Sequence, residues 1–257
     1  MPFFFSPEGV CMAKLAQVAV NEDIPQVVST KKIRQDLLKR IEPKTPAQVM
    51  AFNAYRDRNL VMLGSAGTGK TFIGMYLAMK EVLSRESGYT KLTVVRSAVP
   101  VRDLGFMPGT KEEKEAVYEM PYHSIFKEIF HQIQGNGLVE KLKDQHLYEF
   151  ISTSYIRGIT MHDTIILVDE CENMTYQELS SIITRMGDNC KIMFCGDFRQ
   201  SDLQKKADKD GLVKFLAILR KIYDFSFVEF NREDIVRSSI VKQFIIAEEQ
   251  YEEENGD

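Results

Sequence analysis

Residues Gly64 to Thr71 read Gly-Ser-Ala-Gly-Thr-Gly-Lys-Thr. An octet of that kind admits few folds, because it works as the turn between a buried parallel strand and the start of a helix. Both flanks fit. Leu60-Val61-Met62-Leu63 is a short apolar run, and Phe72 to Ser84 carries Phe72, Met75, Tyr76 and Met79 at helical spacing. Glycines at 64, 67 and 69 let the backbone N–H groups of the loop, Ser65, Ala66 and Thr68 included, turn inward around a triphosphate. The helix N-terminus adds partial positive charge, Lys70 reaches the β- and γ-phosphates, and the Thr71 hydroxyl ligates Mg²⁺. The expected ligands are ATP and Mg²⁺.

The rest of the chain repeats the alternation. Strands are expected at 60–63, 92–95, 165–168, 191–195 and 225–230. Helices are expected at 48–56, 70–84, 122–134, 176–186, 212–222 and 235–248. Continuous apolar strands between helices predict an α/β fold with a parallel central sheet covered by helices on both faces. With the glycine loop this is the RecA-like P-loop NTPase type. At 257 residues the chain suffices for one large domain of this kind. That domain is placed at 45–251, with an insertion at about 97–152 suggesting a loop and one or two helices. Residues 1–44 form an N-terminal extension. Within it Ile33, Leu37, Leu38 and Ile41 predict an amphipathic helix over Lys31–Ile41 with five basic side chains, either docked with its charges in water or contacting nucleic acid or a partner. Residues 252–257 are expected to be a disordered acidic tail.

The run Ile165-Ile166-Leu167-Val168 ends in Asp169-Glu170. Asp169 suits a metal-holding acid, and Glu170 a base that orients and deprotonates the attacking water. After another apolar run comes Gly196-Asp197-Phe198-Arg199-Gln200, where Gln200 is placed to sense the γ-phosphate. Net charge is −4, yet residues 248–257 hold six acids and no base, so the remainder stands at +2 and a basic groove is compatible with it. Four cysteines without Cys-x-x-Cys spacing and four scattered histidines offer no metal or disulfide pattern. No stretch reaches membrane-spanning length, and the short apolar start lacks signal-peptide form, so a cytoplasmic location is expected.

From Thr45 to Tyr251 the chain resembles the PhoH-like ATPases, a P-loop family related to superfamily 1 helicases. The resemblance rests on Arg96-Ser97-Ala98-Val99, Leu104-Gly105-Phe106-Met107-Pro108-Gly109, Tyr155-Ile156-Arg157-Gly158, Asn173-Met174-Thr175 with Gln177, Leu203 before Gly211-Leu212, and Asp234-Ile235-Val236-Arg237. The short architecture is similar to members from bacteriophage genomes, which implies a host cytoplasm. The resemblance implies that Gln48 reads the N6 and N7 edge of adenine. Three departures stand out. Asp169-Glu170-Cys171-Glu172 replaces Asp-Glu-Ala-Gln, placing a carboxylate that repels phosphate unless it points away or meets a cation. Arg96-Ser97 replaces Arg-Pro, and Arg157-Gly158-Ile159-Thr160 lacks one arginine of Arg-Gly-Arg-Thr.

Related helicases complete the ATP site with an arginine from a second domain, for which this chain has no room. The resemblance therefore implies a homo-oligomer, most simply a ring such as a hexamer, with ATP between subunits. The candidates for an arginine acting in trans are Arg237, then Arg185, then Arg157. The leading functional expectation is an ATPase or helicase acting on RNA or single-stranded DNA. A nucleotide-gated assembly module with slow hydrolysis is the alternative. A small-molecule kinase is third, because an acid after Asp169 favours water as nucleophile.

Overall fold

The computed structural model describes residues 32–97, 111–131, 137–197 and 206–255, apart from the side chains of 111–114, 206–210 and 252. Six strands form one parallel sheet: β1 (Asn59–Gly64), β2 (Lys91–Arg96), β3 (Tyr148–Ser152), β4 (Thr164–Asp169), β5 (Cys190–Gly196) and β6 (Phe225–Phe230), in spatial order β3-β2-β4-β5-β1-β6. Because strand side chains alternate, each apolar run supplies two cores. Leu60 and Met62 of β1, Ile165 and Leu167 of β4, and Met193 and Cys195 of β5 face one core. Val61, Leu63, Ile166, Val168, Ile192 and Phe194 face the other. On the first face lie α1 (Pro46–Ala54), α2 (Lys70–Val82), α3 (Lys111–Ile129) and α4 (Leu138–Asp144). On the second lie α5 (Tyr176–Ile183) and α6 (Lys206–Leu219). This is the expected RecA-like P-loop architecture.

The order of strands positions the site. After β1 the chain leaves by α2 on the first face, whereas after β4 and β5 it leaves by α5 and α6 on the second. Divergent connections open a crevice at the carboxyl ends of neighbouring strands, the place where open α/β sheets bind ligands. Register sets the depth, since Leu63 pairs with Gly196, Gly64 with Phe230, and Arg96 with Asp169.

Several expectations are corrected. Of the helix expected over Lys31–Ile41, the described residues from Lys32 onward are not α-helical: the chain is extended at Arg34, makes one 3-10 turn at Gln35–Leu37, and Leu38 bridges to Phe130. Its backbone bonds go to the end of α3, with Lys39 N–H donating to the Ile129 carbonyl (2.8 Å) and His131 N–H to that of Leu37 (2.8 Å). Ile33 is buried and Leu37, Leu38 and Ile41 pack on the core as a strap, so helical spacing here reflects burial without helical bonding. The segment read as an insertion holds two helices, α3 and α4, within the one or two expected, but also a strand, β3, at the sheet edge, and α3 covers Lys111 and continues through Pro121. The last helix, α7 (Ser239–Asn255), starts four residues later than expected and carries the acidic end through Asn255 as ordered helix. Arg232 clasps it, contacting Glu249 at 2.5 Å and Glu253 at 2.7 Å. Residues 1–31, 98–110 and 198–205 lie outside the described residues. The Leu104–Gly109 segment and Gln200 are among them.

Candidate functional site

The turn after β1 has the backbone that its glycines permit. Gly64, Gly67 and Gly69 have φ of 121°, 70° and 87°. A Cβ on Gly64 would lie 1.8 Å from the Phe230 carbonyl oxygen, so β6 presses directly on the start of the loop. The loop is also tied from outside and within. Ser65 N–H donates to the Phe230 carbonyl (3.1 Å), Val236 N–H to the Gly67 carbonyl (3.1 Å), and Thr68 Oγ1 to the Ser65 carbonyl (2.9 Å). Lys70, first residue of α2, lays its ammonium back across the turn onto the carbonyls of Gly64 (2.7 Å) and Ser65 (2.8 Å).

The ends of β4 and β2 complete the cluster. Thr71 Oγ1 donates to Asp169 Oδ1 at 2.6 Å, and Tyr122 Oη donates to Asp169 Oδ2 at 2.9 Å. Tyr122 is buried on α3, and burial, with the nearby Asp169 charge, holds its phenol well above the usual range, so it is a permanent donor. Glu170 has left-handed φ of 50° and takes a 2.5 Å contact from Arg96 Nη2. Burial raises its carboxyl, with Arg96 pulling the other way. Glu172 is only 7% exposed, and burial pushes it up to about 8, against the backbone N–H groups of Glu172 itself and Asp197. At neutral pH it is largely protonated. The carboxylate expected to repel phosphate is therefore mostly an uncharged group of the size and shape of glutamine.

Lys70, Thr71, Arg96, Tyr122, Asp169, Glu170 and Glu172 open into one cavity of about 670 Å³ at the carboxyl edge of the sheet, a volume in the range of small-ligand sites. The sequence-derived residues divide as follows. Ala66, Gly67, Gly69, Lys70, Thr71, Asp169, Glu170 and Gln48 line it, whereas Gly64, Ser65 and Thr68 of the same loop do not. Gln48, however, is buried with its amide engaged at both ends: Oε1 accepts from Lys44 N–H (2.8 Å) and Nε2 donates to the Thr68 carbonyl (3.0 Å). It braces the loop, which differs from a free amide waiting for a base.

Arg237 also lines the cavity, its Cγ 2.9 Å from where a Cβ on Gly67 would sit. The leading candidate to act in trans thus lies over the loop of its own chain. Arg185 and Arg157 are not brought to this cavity. They line a separate shallow depression with Tyr176, Gln177, Ser180 and Ser181, beside α5 and so toward the second face. Tyr122 and the pairing role of Arg96 were not found by sequence reading. The register pair Arg96–Asp169 and the reach of α3 are tertiary facts, with no local signal beyond the Arg96-Ser97-Ala98-Val99 motif.

The donor set fits a triphosphate with a divalent cation. A turn free of Cβ atoms at Gly67 and Gly69, an ammonium resting on carbonyls, and a hydroxyl–carboxylate pair are the groups such a ligand requires. When bound, Mg²⁺ would supply charge neutralisation there, held by Thr71 and Asp169.

A family model described as PhoH-like protein matches residues 40–249. The chain belongs to the PhoH-like family. It is 31% identical over 250 residues to the PhoH-like protein of Mycobacterium leprae, covering 96% of this chain and 70% of that protein. It is equally identical over the same length to the PhoH-like protein of Bacillus subtilis, of which it covers 74%. Among solved structures, a similar chain is the large terminase of a thermophilic bacteriophage in complex with ADP. The TM-score is 0.48 at 15% identity, covering 82% of this chain and 50% of that one. That likeness is too distant to bear on chemistry. In PhoH-like terms, the glycine loop, Asp169-Glu170 and the Asn231–Arg237 segment all lie within the matched region.

Proposed function

We propose that this PhoH-like protein binds and hydrolyses ATP with Mg²⁺, works as a homo-oligomer with ATP between subunits, and is driven by RNA or single-stranded DNA. The observation that carries the hydrolytic part is the convergence, within one cavity, of the glycine turn, Lys70, the Thr71–Asp169 pair and Glu170. Lys70 would exchange loop carbonyls for phosphate oxygens. In this reading Glu170 orients and deprotonates water, in a cavity that Asp197 and the protonated Glu172 also line. Arg237 acts in this reading within its own chain, over the phosphate loop. A neighbour's Arg157 and Arg185 are the candidates to reach across, and a heterologous contact of that kind closes into a ring when its rotation permits.

The test is ATPase rate per subunit against protein concentration, with native mass determined in parallel, and with and without poly-U or single-stranded DNA. A rate that rises with assembly and with either polymer is expected. A constant rate at every mass rejects the shared site, and indifference to both polymers rejects the nucleic-acid part. One feature favours the alternative of a nucleotide-gated assembly module. The last helix exposes Ile240 (73%) and Phe244 (63%) one turn apart, apolar surface that suits a protein contact. That reading expects oligomer size to follow nucleotide while both polymers do nothing.

A further inference from the structure

The water-activating acid is already engaged. Arg96 Nη2 holds Glu170 Oε2 at 2.5 Å, and both residues line the cavity wall, with side chains 18% and 40% exposed. The sheet enforces this contact. Arg96 ends β2 opposite Asp169, and the left-handed turn at Glu170 places the next side chain within reach of the guanidinium. A carboxylate in a charge-assisted contact of this kind has an oxygen committed to arginine and held away from an approaching water. A phosphate group is a competing partner for the same guanidinium, whose planar fork matches phosphate oxygens two at a time.

We propose that Arg96 is a positioning residue that restrains Glu170 until a phosphodiester backbone draws the guanidinium away. This rests on the hydrolytic reading of the site. Polymer binding then raises turnover by freeing a carboxylate that is already in place, with no subunit or domain rearrangement required. Proton transfer from water to Glu170 proceeds only in the released arrangement.

The experiment measures steady-state ATP hydrolysis by the full chain for wild type, Arg96→Gln and Arg96→Lys. Each is assayed alone, with poly-U and with single-stranded DNA, the two polymers distinguishing the source of the phosphodiester. Glutamine removes the ion pair. Its basal kcat is expected to rise at least about threefold, toward the polymer-stimulated wild-type rate, with a ceiling set by the roughly hundredfold or more that a positioned base contributes. KM for ATP should stay within about twofold, and further response to polymer should be lost. Lysine, a cation without the fork, should fall between. A basal rate that drops or stays level in Arg96→Gln, or a stimulation factor that survives intact, overturns the proposal. So does a wild type that neither polymer stimulates. Should Arg96→Gln fail to fold, Arg96→Lys decides alone: a raised basal rate with a weaker response supports the restraint, and wild-type behaviour overturns it. Lys70→Ala separates the two layers. Hydrolysis that survives in Lys70→Ala sinks the reading of the site, whereas hydrolysis lost there but unchanged in Arg96→Gln sinks only the role of Arg96.

Discussion

Glu172 shows how far one side chain's meaning depends on its surroundings. In the chain of letters it is a charge beside a phosphate site. In the fold, burial moves its titration from the ordinary carboxyl range to about 8. Between those two values the folded state keeps a proton that the unfolded chain has released, so this group makes stability fall as pH rises across that window. Glu172→Gln removes the dependence. The variant is expected to match the wild type near pH 4.5 and to exceed its stability by pH 8.5, by something on the order of a few kcal/mol. Thermal melts of both proteins across that range check it, and a difference that does not grow with pH refutes the assignment. Tyr122 illustrates the opposite case. Nothing near it in the sequence marks a site, yet its hydroxyl fixes one oxygen of Asp169 while Thr71 fixes the other.

At the scale of elements, the phosphate loop was readable because everything it needs is local: strand, glycines, lysine and helix follow one another. The four inner strands were readable for a related reason, being apolar runs buried on both faces. β3 was not. Tyr148-Glu149-Phe150-Ile151-Ser152 is a short edge strand interrupted by an acid that pairs with Lys91 (2.6 Å), and its partner β2 lies some fifty residues away. The strap before α1 failed differently, because a row of apolar side chains at helical intervals can also line an extended segment whose backbone bonds lie on a neighbour. The contact between β1 and β6 gives a prediction at this scale. Gly64→Ala places a methyl group on the Phe230 carbonyl at a φ that L side chains rarely adopt. It should cost more than about 2 kcal/mol. Denaturant unfolding measures it, and a variant of wild-type stability means that the two strands do not abut as described.

Over the whole molecule, two arginine groups line different cavities. Arg237 lies at the nucleotide cavity of its own chain, while Arg157 and Arg185 share a different depression on the α5 side. Sequence reading ranked Arg237 first, then Arg185 and Arg157; Arg237 and Arg157 lie in family-like segments and Arg185 does not, and the three-dimensional arrangement sorts them differently. A shared site makes a sharp demand on mixtures. Lys70→Ala should be inactive through its own cavity, and the double variant Arg157→Ala/Arg185→Ala through its neighbour's. Mixing the two, with subunit exchange, should restore part of the lost rate. Mixtures no more active than their components argue for a site complete within one chain.

The cover over the phosphate turn comes from the far end of the polypeptide. Ile245 approaches Gly67, and the helix bearing it is anchored through Arg232. Trimming the acidic terminus to obtain a tidier fragment, or fusing a bulky label just past residue 239, therefore disturbs the roof of the very chamber such a fragment is made to study.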